Sequence, residues 1–229
     1  MFDNKLEQKR KINFLINKIY HLIFSEKFSK KINFNFDKYN RIDLINHVIN
    51  KYDYKKYLEI GCHNNEVFDK IKIEKIGVDP VSGGNFKGTS DEFFEQNKKN
   101  FDCIFIDGMH EYKQVKKDII NSIKFLNKDG VIILHDCLPK SINHQRVPRT
   151  RYSWNGDVWK AVVEARTWKH VDTFTVLSDQ GLGIIKNKDN SDLLNLEDIS
   201  FEKLKFKFFY DNYPKIMRTI RYNDFLKII

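Results

Sequence analysis

The chain has 229 residues, 40 Lys and Arg against 31 Asp and Glu, and a formal charge of +9. That length buries a sizeable core and is most simply one domain with extensions. The basic residues are scattered rather than gathered in runs of about five or six, so a solvated basic surface is the simpler reading and a nucleic-acid partner is disfavoured. Cys62, Cys103 and Cys137 are odd in number and form no C-x-x-C pair, which argues against a disulfide framework or a zinc ribbon and suits a reducing, cytoplasmic setting. No apolar run is long enough to cross a bilayer, and the charged N-terminus lacks a signal-peptide segment.

The first 52 residues read as a helical extension. From Asp3 to Ser29, Leu6, Ile12, Leu15, Ile16, Ile19, Leu22 and Ile23 recur at near-helical spacing. Such a face covers a core, pairs with another subunit or touches a membrane, in that order of preference, so a homo-oligomer through this helix is one expectation. A loose stretch from Lys30 to Asn40 follows. A second helix, Arg41 to Lys51, leads into the first strand.

Residues 53–190 alternate. Strands are predicted at 56–61, 75–79, 102–106 and 131–135, each short, apolar and closed by an acid or a Gly. Buried parallel strands look like this when they deliver polar groups to one edge of a sheet. Between them lie a short helical segment at 66–71, a Gly-containing loop from Val81 to Gly88, a Ser/Asp-capped helix start at 89–94 and an amphipathic helix from Tyr112 to Leu126. Asn127-Lys128-Asp129-Gly130 reads as a turn. The βαβ order implies right-handed crossovers, and ligands of such sheets bind at the carboxyl edge.

The stretch 138–155 has no periodicity and is long for a connection, as a lid would be. Helix 157–167 follows, with Trp159 in its core. Strands Val171–Leu177 and Leu182–Lys186, joined by Ser178-Asp179-Gln180-Gly181, form an antiparallel hairpin. Residues 191–229 are rich in Phe and Tyr and read as a helical extension interrupted by Pro214.

An acid and Gly after the first strand, an acid ending the second, and the closing hairpin together resemble the class I S-adenosylmethionine-dependent methyltransferases. Phe-Asp-Cys-Ile-Phe-Ile-Asp-Gly-Met-His-Glu-Tyr (101–112) and Gly-Val-Ile-Ile-Leu-His-Asp (130–136) are similar to the branch with an Ile-Asp-Gly-x-His-x-Tyr signature, which includes macrocin-type sugar O-methyltransferases and cephalosporin-hydroxylase-like proteins. The resemblance covers about residues 55–187. It implies a Rossmann-like, doubly wound α/β sheet of seven strands with the last antiparallel and helices on both faces. The first-strand run, Glu59-Ile60-Gly61-Cys62-His63-Asn64-Asn65, departs from the common acid-x-Gly-x-Gly-x-Gly by keeping one Gly.

By this resemblance Glu59 and Gly61 hold the methionine end of S-adenosylmethionine, and Ser90 and Asp91 lie near its adenine. Asp79 is placed to accept from two ribose hydroxyls. Asp107 and Asp136 end adjacent strands, and two converging acids repel unless a cation sits between them, which suits Mg²⁺. The other reading has Asp107 bind the amino group of the cofactor. Cys137 stands where metal-dependent relatives carry a further oxygen ligand, and it is a poor one for Mg²⁺. His110, three residues after Asp107, is the candidate base. His135 is expected on the face opposite Asp136 by strand alternation. Arg149, Tyr152 and Trp154 suit a sugar or anionic glycan. The expected activity is O-methylation of a sugar, glycan or glycosylated small molecule. Methylation of RNA and a non-catalytic binding subunit remain as alternatives.

Overall fold

The computed structural model describes residues 2–197 and 199–229, with side chains from residue 7 onward, so Leu6 and Asp198 of the sequence reading fall outside the described side chains. Eight strands form one sheet in the order β3-β2-β1-β4-β5-β7-β6-β8. The central strands are β1 (Lys56–Ile60), β2 (Glu74–Asp79), β4 (Phe101–Ile106) and β5 (Leu126–Leu134), all parallel, with the short β3 (Phe86–Lys87) beyond β2. β7 (Leu182–Lys186) runs antiparallel between β5 and β6 (Asp172–Val176). Six of these strands are those expected from the sequence, and β3, inside the stretch read as a loop from Val81 to Gly88, brings them to the seven that the resemblance implies. The eighth, β8 (Thr219–Ile220), is a correction: the C-terminal extension is not wholly helical but adds a parallel edge strand to β6.

Side-chain alternation sorts the core into two layers. Leu58, Ile60, Ile104, Ile106, Ile132 and Leu134 face one cluster. There they meet α3 (Ser90–Gln96), α4 (Tyr112–Lys124), α6 (Val158–Ala165) and α7 (Phe206–Ile216). Tyr57, Cys103, Phe105, Val131 and Ile133 face the other, against α2 (Arg41–Tyr52) and α8 (Tyr222–Ile228). Period-2 strands buried on both faces therefore explain the continuous apolar runs. Both extensions thus pack on the same sheet.

Local chemistry sets the boundaries. Asn40 and Asp43 form a capping box for α2, and Thr89 and Glu92 form one for α3, so the cap is Thr89 rather than Ser90. The expected turn at 127–130 lies within β5: Leu126 pairs with Phe101, the register breaks, and pairing resumes at Val131 with Asp129 left-handed at φ 64°. Pro214 does not interrupt α7; it stands inside the last turn, and the helix ends two residues later. The connection 138–155 contains one short helix, α5 (Ile142–Gln145).

The N-terminal helix α1 (Phe2–Phe24) lies on the 146–154 segment. Asn17 Nδ2 donates to the Arg149 carbonyl at 2.8 Å, a ring nitrogen of His21 meets the Pro148 carbonyl at 2.8 Å, and Phe14 packs edge-on to Tyr152. The opposite stripe, Ile12, Leu15, Ile16, Ile19, Leu22 and Ile23, is exposed. Among the described residues, no helix is long and apolar enough to cross a membrane.

Leu58, fully buried at the centre of β1, tests the layered core. Leu58→Ala is expected to lower stability by about 2–5 kcal/mol, read from chemical denaturation, because a methyl-lined cavity is left in a packed layer.

Candidate active site

β1 and β4 are parallel neighbours at the centre of the sheet, and β5 follows β4, so three neighbouring strands end at one edge. A cleft of about 480 Å³ opens there. It is lined by Glu59 and Gly61 after β1, Asp107 and His110 after β4, and His135 and Asp136 after β5. Arg149, Tyr152 and Trp154 line its other wall. The 138–155 segment thus stands over the strand ends.

Gly61 makes this convergence possible. Its φ is +88°, and a Cβ there would lie 2.4 Å from the Asp107 carbonyl oxygen, inside the backbone of the neighbouring strand end. The loop beyond it explains the missing glycines. His63 and Asn65, at the positions where the common motif has its second and third Gly, keep left-handed backbone with φ of 45° and 65°. Asn65 offsets that strain by accepting from Gly84 N–H at 2.7 Å, and His63 N–H donates to Asp79 at 2.9 Å. The shape of the glycine loop is retained with other side chains.

Asp107 and Asp136 are linked through His110. Its Nε2 lies 3.2 Å from Asp107 Oδ1 and its Nδ1 3.1 Å from Asp136 Oδ2. Burial works against a charged imidazole here, but the hydrogen bond to Asp107 and the charge of Asp136 prevail and raise its pKa. Asp107 is half-buried; burial works against its charge, but the charge of His135 and the N–H groups of His110 and His135 hold its carboxyl well below the usual range. Asn155 Nδ2 donates to the other oxygen of Asp136 at 2.7 Å. Trp154 stacks on the His110 ring, with centroids 5.4 Å apart. Gly156 closes the arrangement: with φ +62°, a Cβ there would fall 1.7 Å from the His110 carbonyl oxygen.

His135 corrects the alternation argument. β5 ends at Leu134, and Asp136 takes a left-handed φ of 61°, so His135 and Asp136 turn to the same cleft. His135 Nδ1 is 3.1 Å from Asp107 Oδ1. Arg41 Nη1 lies 2.9 Å from His135 Nε2, and the charges of Asp107 and Asp136 prevail over burial to raise the His135 pKa well above its ordinary value. Arg41 is itself gripped by Asp179, through its backbone N–H at 2.9 Å and its guanidinium at 3.0 Å.

Glu59 is buried, and Tyr57, two residues earlier on the same strand face, donates to it at 2.7 Å. Burial and the nearby Asp107 push its carboxyl up to about 7.

The remaining sequence candidates lie off the cleft. Asp79 caps the loop after β2, accepting from the backbone of Val81, Ser82 and His63, and these bonds outweigh burial to lower its pKa. Ser90 donates to Asp118 at 2.6 Å, and Asp91 pairs with Lys117 at 2.5 Å, so both side chains tie α3 to α4. Arg41, Asn155, Gly156 and Asp179 were not singled out from the sequence. They sit on three separate segments that only the fold brings together; the Asn155-Gly156 pair before a helix was the one local signal.

Asp107, His110 and Asp136 each offer a ligand atom within 4.8 Å of the others, a donor set of two carboxylates and one imidazole that fits a divalent cation. Cys137 adds nothing to it: the thiol is fully buried and directed at the Leu134 and His135 carbonyls.

Residues 59–137, which span Glu59 to the end of β5 and hold five of the cleft's strand-end residues together with Gly61, match a family described as a methyltransferase domain. The match covers less than half of the chain. The fold of the chain recurs in solved structures. An SAH-bound methyltransferase from Podospora anserina shares 16% identity over 65% of this chain and 78% of its own, with a TM-score of 0.50. A putative caffeoyl-CoA O-methyltransferase from Staphylococcus aureus shares 17% over 80% and 96%, with a TM-score of 0.50. A putative O-methyltransferase from Klebsiella pneumoniae shares 10% over 79% and 90%, also at 0.50. No curated protein sequence matches the chain.

The left-handed loop after β1 is testable by itself. His63→Gly is expected to leave thermal stability unchanged or higher, whereas β-branched His63→Val at the same φ costs about 1–3 kcal/mol. Thermal unfolding of the two variants separates a conformational role from a side-chain role.

Proposed function

We propose that the protein is an S-adenosylmethionine-dependent O-methyltransferase acting on a hydroxyl of a sugar, glycan or glycosylated small molecule. One observation carries the reading: a single cleft joins the Glu59–Gly61 strand end to the Asp107–His110–Asp136 cluster, under a wall bearing Arg149, Tyr152 and Trp154.

When bound, S-adenosylmethionine would supply an electrophilic methyl group on a cationic sulfur. Glu59 would pair with the ammonium of its amino-acid end, and Gly61 lets backbone pass close to it. Asp79 holds the His63 backbone that roofs this end. Asp107 lies between the two parts of the cleft and would bear on both.

His110 is the base. With carboxylates on both ring nitrogens it holds its proton firmly. It gives that proton up more readily once a second positive charge shares the cleft, because the two cations repel in a desolvated site. With that proton passed to solvent, the neutral imidazole would be the group to take the acceptor's hydroxyl proton during methyl transfer. A divalent ion on Asp107 and Asp136, Mg²⁺ for instance, would supply charge that acidifies a bound hydroxyl.

The acceptor class rests on the cleft wall. The Arg149 guanidinium lies 5.1 Å over the Trp154 ring and 5.6 Å over Phe14, and Tyr152 is half exposed beside them. Flat aromatic faces next to a fork of donors suit a ring with an apolar face and a hydroxylated edge. The exposed stripe of α1, opposite the side that holds this wall, is where we place the contact of a homo-oligomer.

Calorimetry with S-adenosylhomocysteine is expected to show one site per chain. His110→Ala is expected to keep that binding and lose methyl transfer to a sugar acceptor by roughly 10²–10⁴-fold; absence of binding by folded native protein overturns the reading. Affinity is also expected to rise from about pH 6 to about pH 7.5. The sign follows from Glu59: its pKa is raised to about 7, so it is protonated below that value and meets an ammonium as a carboxylate only above it. Glu59→Gln is expected to weaken binding and flatten this pH profile.

A further inference from the structure

The 146–154 segment has a second side. While Arg149, Tyr152 and Trp154 face the cleft, Arg146, Thr150 and Arg151 line two adjoining hollows of about 480 and 450 Å³ that share Asn143 and Arg151. Lys18 of α1 completes the first hollow, and Lys31 and Lys140 the second. No acid lines either one. Among the described residues, none of these five cations lies within 4.0 Å of a carboxylate, although most other Arg side chains of the protein are paired. Buried Arg146 Nε also has no hydrogen-bond partner. His144, at the floor of the second hollow, feels the resulting field: burial, then Arg151 and Lys140, push its pKa down to about 4.

Five unpaired cations around one concave surface repel each other, and the fold accepts that cost without supplying a counter-ion. We propose that this groove is an anion subsite for a phosphate or diphosphate ester carried by the acceptor, and so deepens the methyltransferase reading on which it rests. Two guanidinium forks and three ammonium groups match the charge density and the bidentate geometry of phosphate oxygens. Thr150, Ser141 and Asn143 add neutral donors. The segment between groove and cleft would then present a sugar hydroxyl on one side while its phosphate is held on the other. A nucleic acid is the less favoured occupant: among the described residues neither hollow has a Phe, Tyr or Trp platform for bases, and the charge is confined to these two hollows.

The test measures binding of inorganic pyrophosphate, uridine 5′-diphosphate and a mixed-sequence single-stranded RNA to the full chain at low salt without divalent cations, with S-adenosylhomocysteine titrated on the same samples. Pyrophosphate is expected to bind and to lose roughly tenfold or more in affinity in Lys140→Glu/Arg151→Glu, with unchanged S-adenosylhomocysteine affinity. Lys140→Gln/Arg151→Gln, which removes charge without reversing it, is expected to lose less and guards against misfolding of the first variant. Tighter binding of uridine 5′-diphosphate than pyrophosphate assigns the ester to a nucleotide; equal binding assigns it to a diphosphate carried otherwise. Failure of native protein to bind pyrophosphate, or equal affinity in both variants, overturns the subsite while retained S-adenosylhomocysteine binding leaves the methyltransferase reading standing. RNA binding without pyrophosphate binding overturns it too. Loss of both ligands by native protein overturns the two together.

Discussion

Three carboxylates, Glu59, Asp107 and Asp136, end neighbouring strands within one cleft, and their mutual repulsion is the constraint around which the site is built. Two imidazoles resolve it. His110 bridges Asp107 and Asp136, which raise its pKa, and His135, beside Arg41, meets Asp107 with its other ring nitrogen. Glu59 receives no such partner and is relieved instead by retaining its proton up to about pH 7. The site therefore divides into an ionised, hydrogen-bonded part at β4 and β5 and a protonated, cation-accepting part at β1. That division suits a ligand whose positive end must be drawn to one place and whose chemistry happens at another.

Backbone conformation makes the crowding feasible. Gly61 lets β1 end against the backbone of Asp107, Gly156 lets the lid seat on the His110 carbonyl, and the left-handed turn at Asp136 brings two consecutive residues to the same side of a strand. These positions are strained or sterically specific, and each sits within the cleft or directly against it. Left-handed residues occur away from the cleft too, at Asp53, Asp129 and Arg218, but these three positions are the ones that bring its walls together.

The sheet was legible because its signal is local. Runs such as 101–107 and 131–136 carry apolar continuity and a terminal acid, and both layers of the core follow from period-2 alternation once the strands are placed. Gly61, Asp107, His110 and Asp136 were legible for the same reason, being strand-end residues in short motifs. Alternation failed at His135 and Asp136 because it holds only inside a strand, and the strand had already ended at Leu134. β8 escaped notice because two residues carry no period. Arg41 and Asp179 escaped because their role exists only through each other: 138 positions apart, they meet where α2 begins beside the β6–β7 turn. Ser90 and Asp91 show the converse, residues whose local pattern was read correctly as a helix start but whose side chains serve the α3–α4 contact.

The 138–155 segment ties the N-terminal extension to the cleft. Its regular structure is limited to α5, and it is held both from within and from outside. Within it, the Arg146 carbonyl accepts from the Trp154 indole and the Tyr152 carbonyl from Arg149; from outside, α1 holds the carbonyls of Pro148 and Arg149, and Asn155 reaches down to Asp136. The segment is thus gripped on one side by α1 and on the other by Asp136, so the wall that Arg149, Tyr152 and Trp154 give the cleft depends on residues far apart in the sequence.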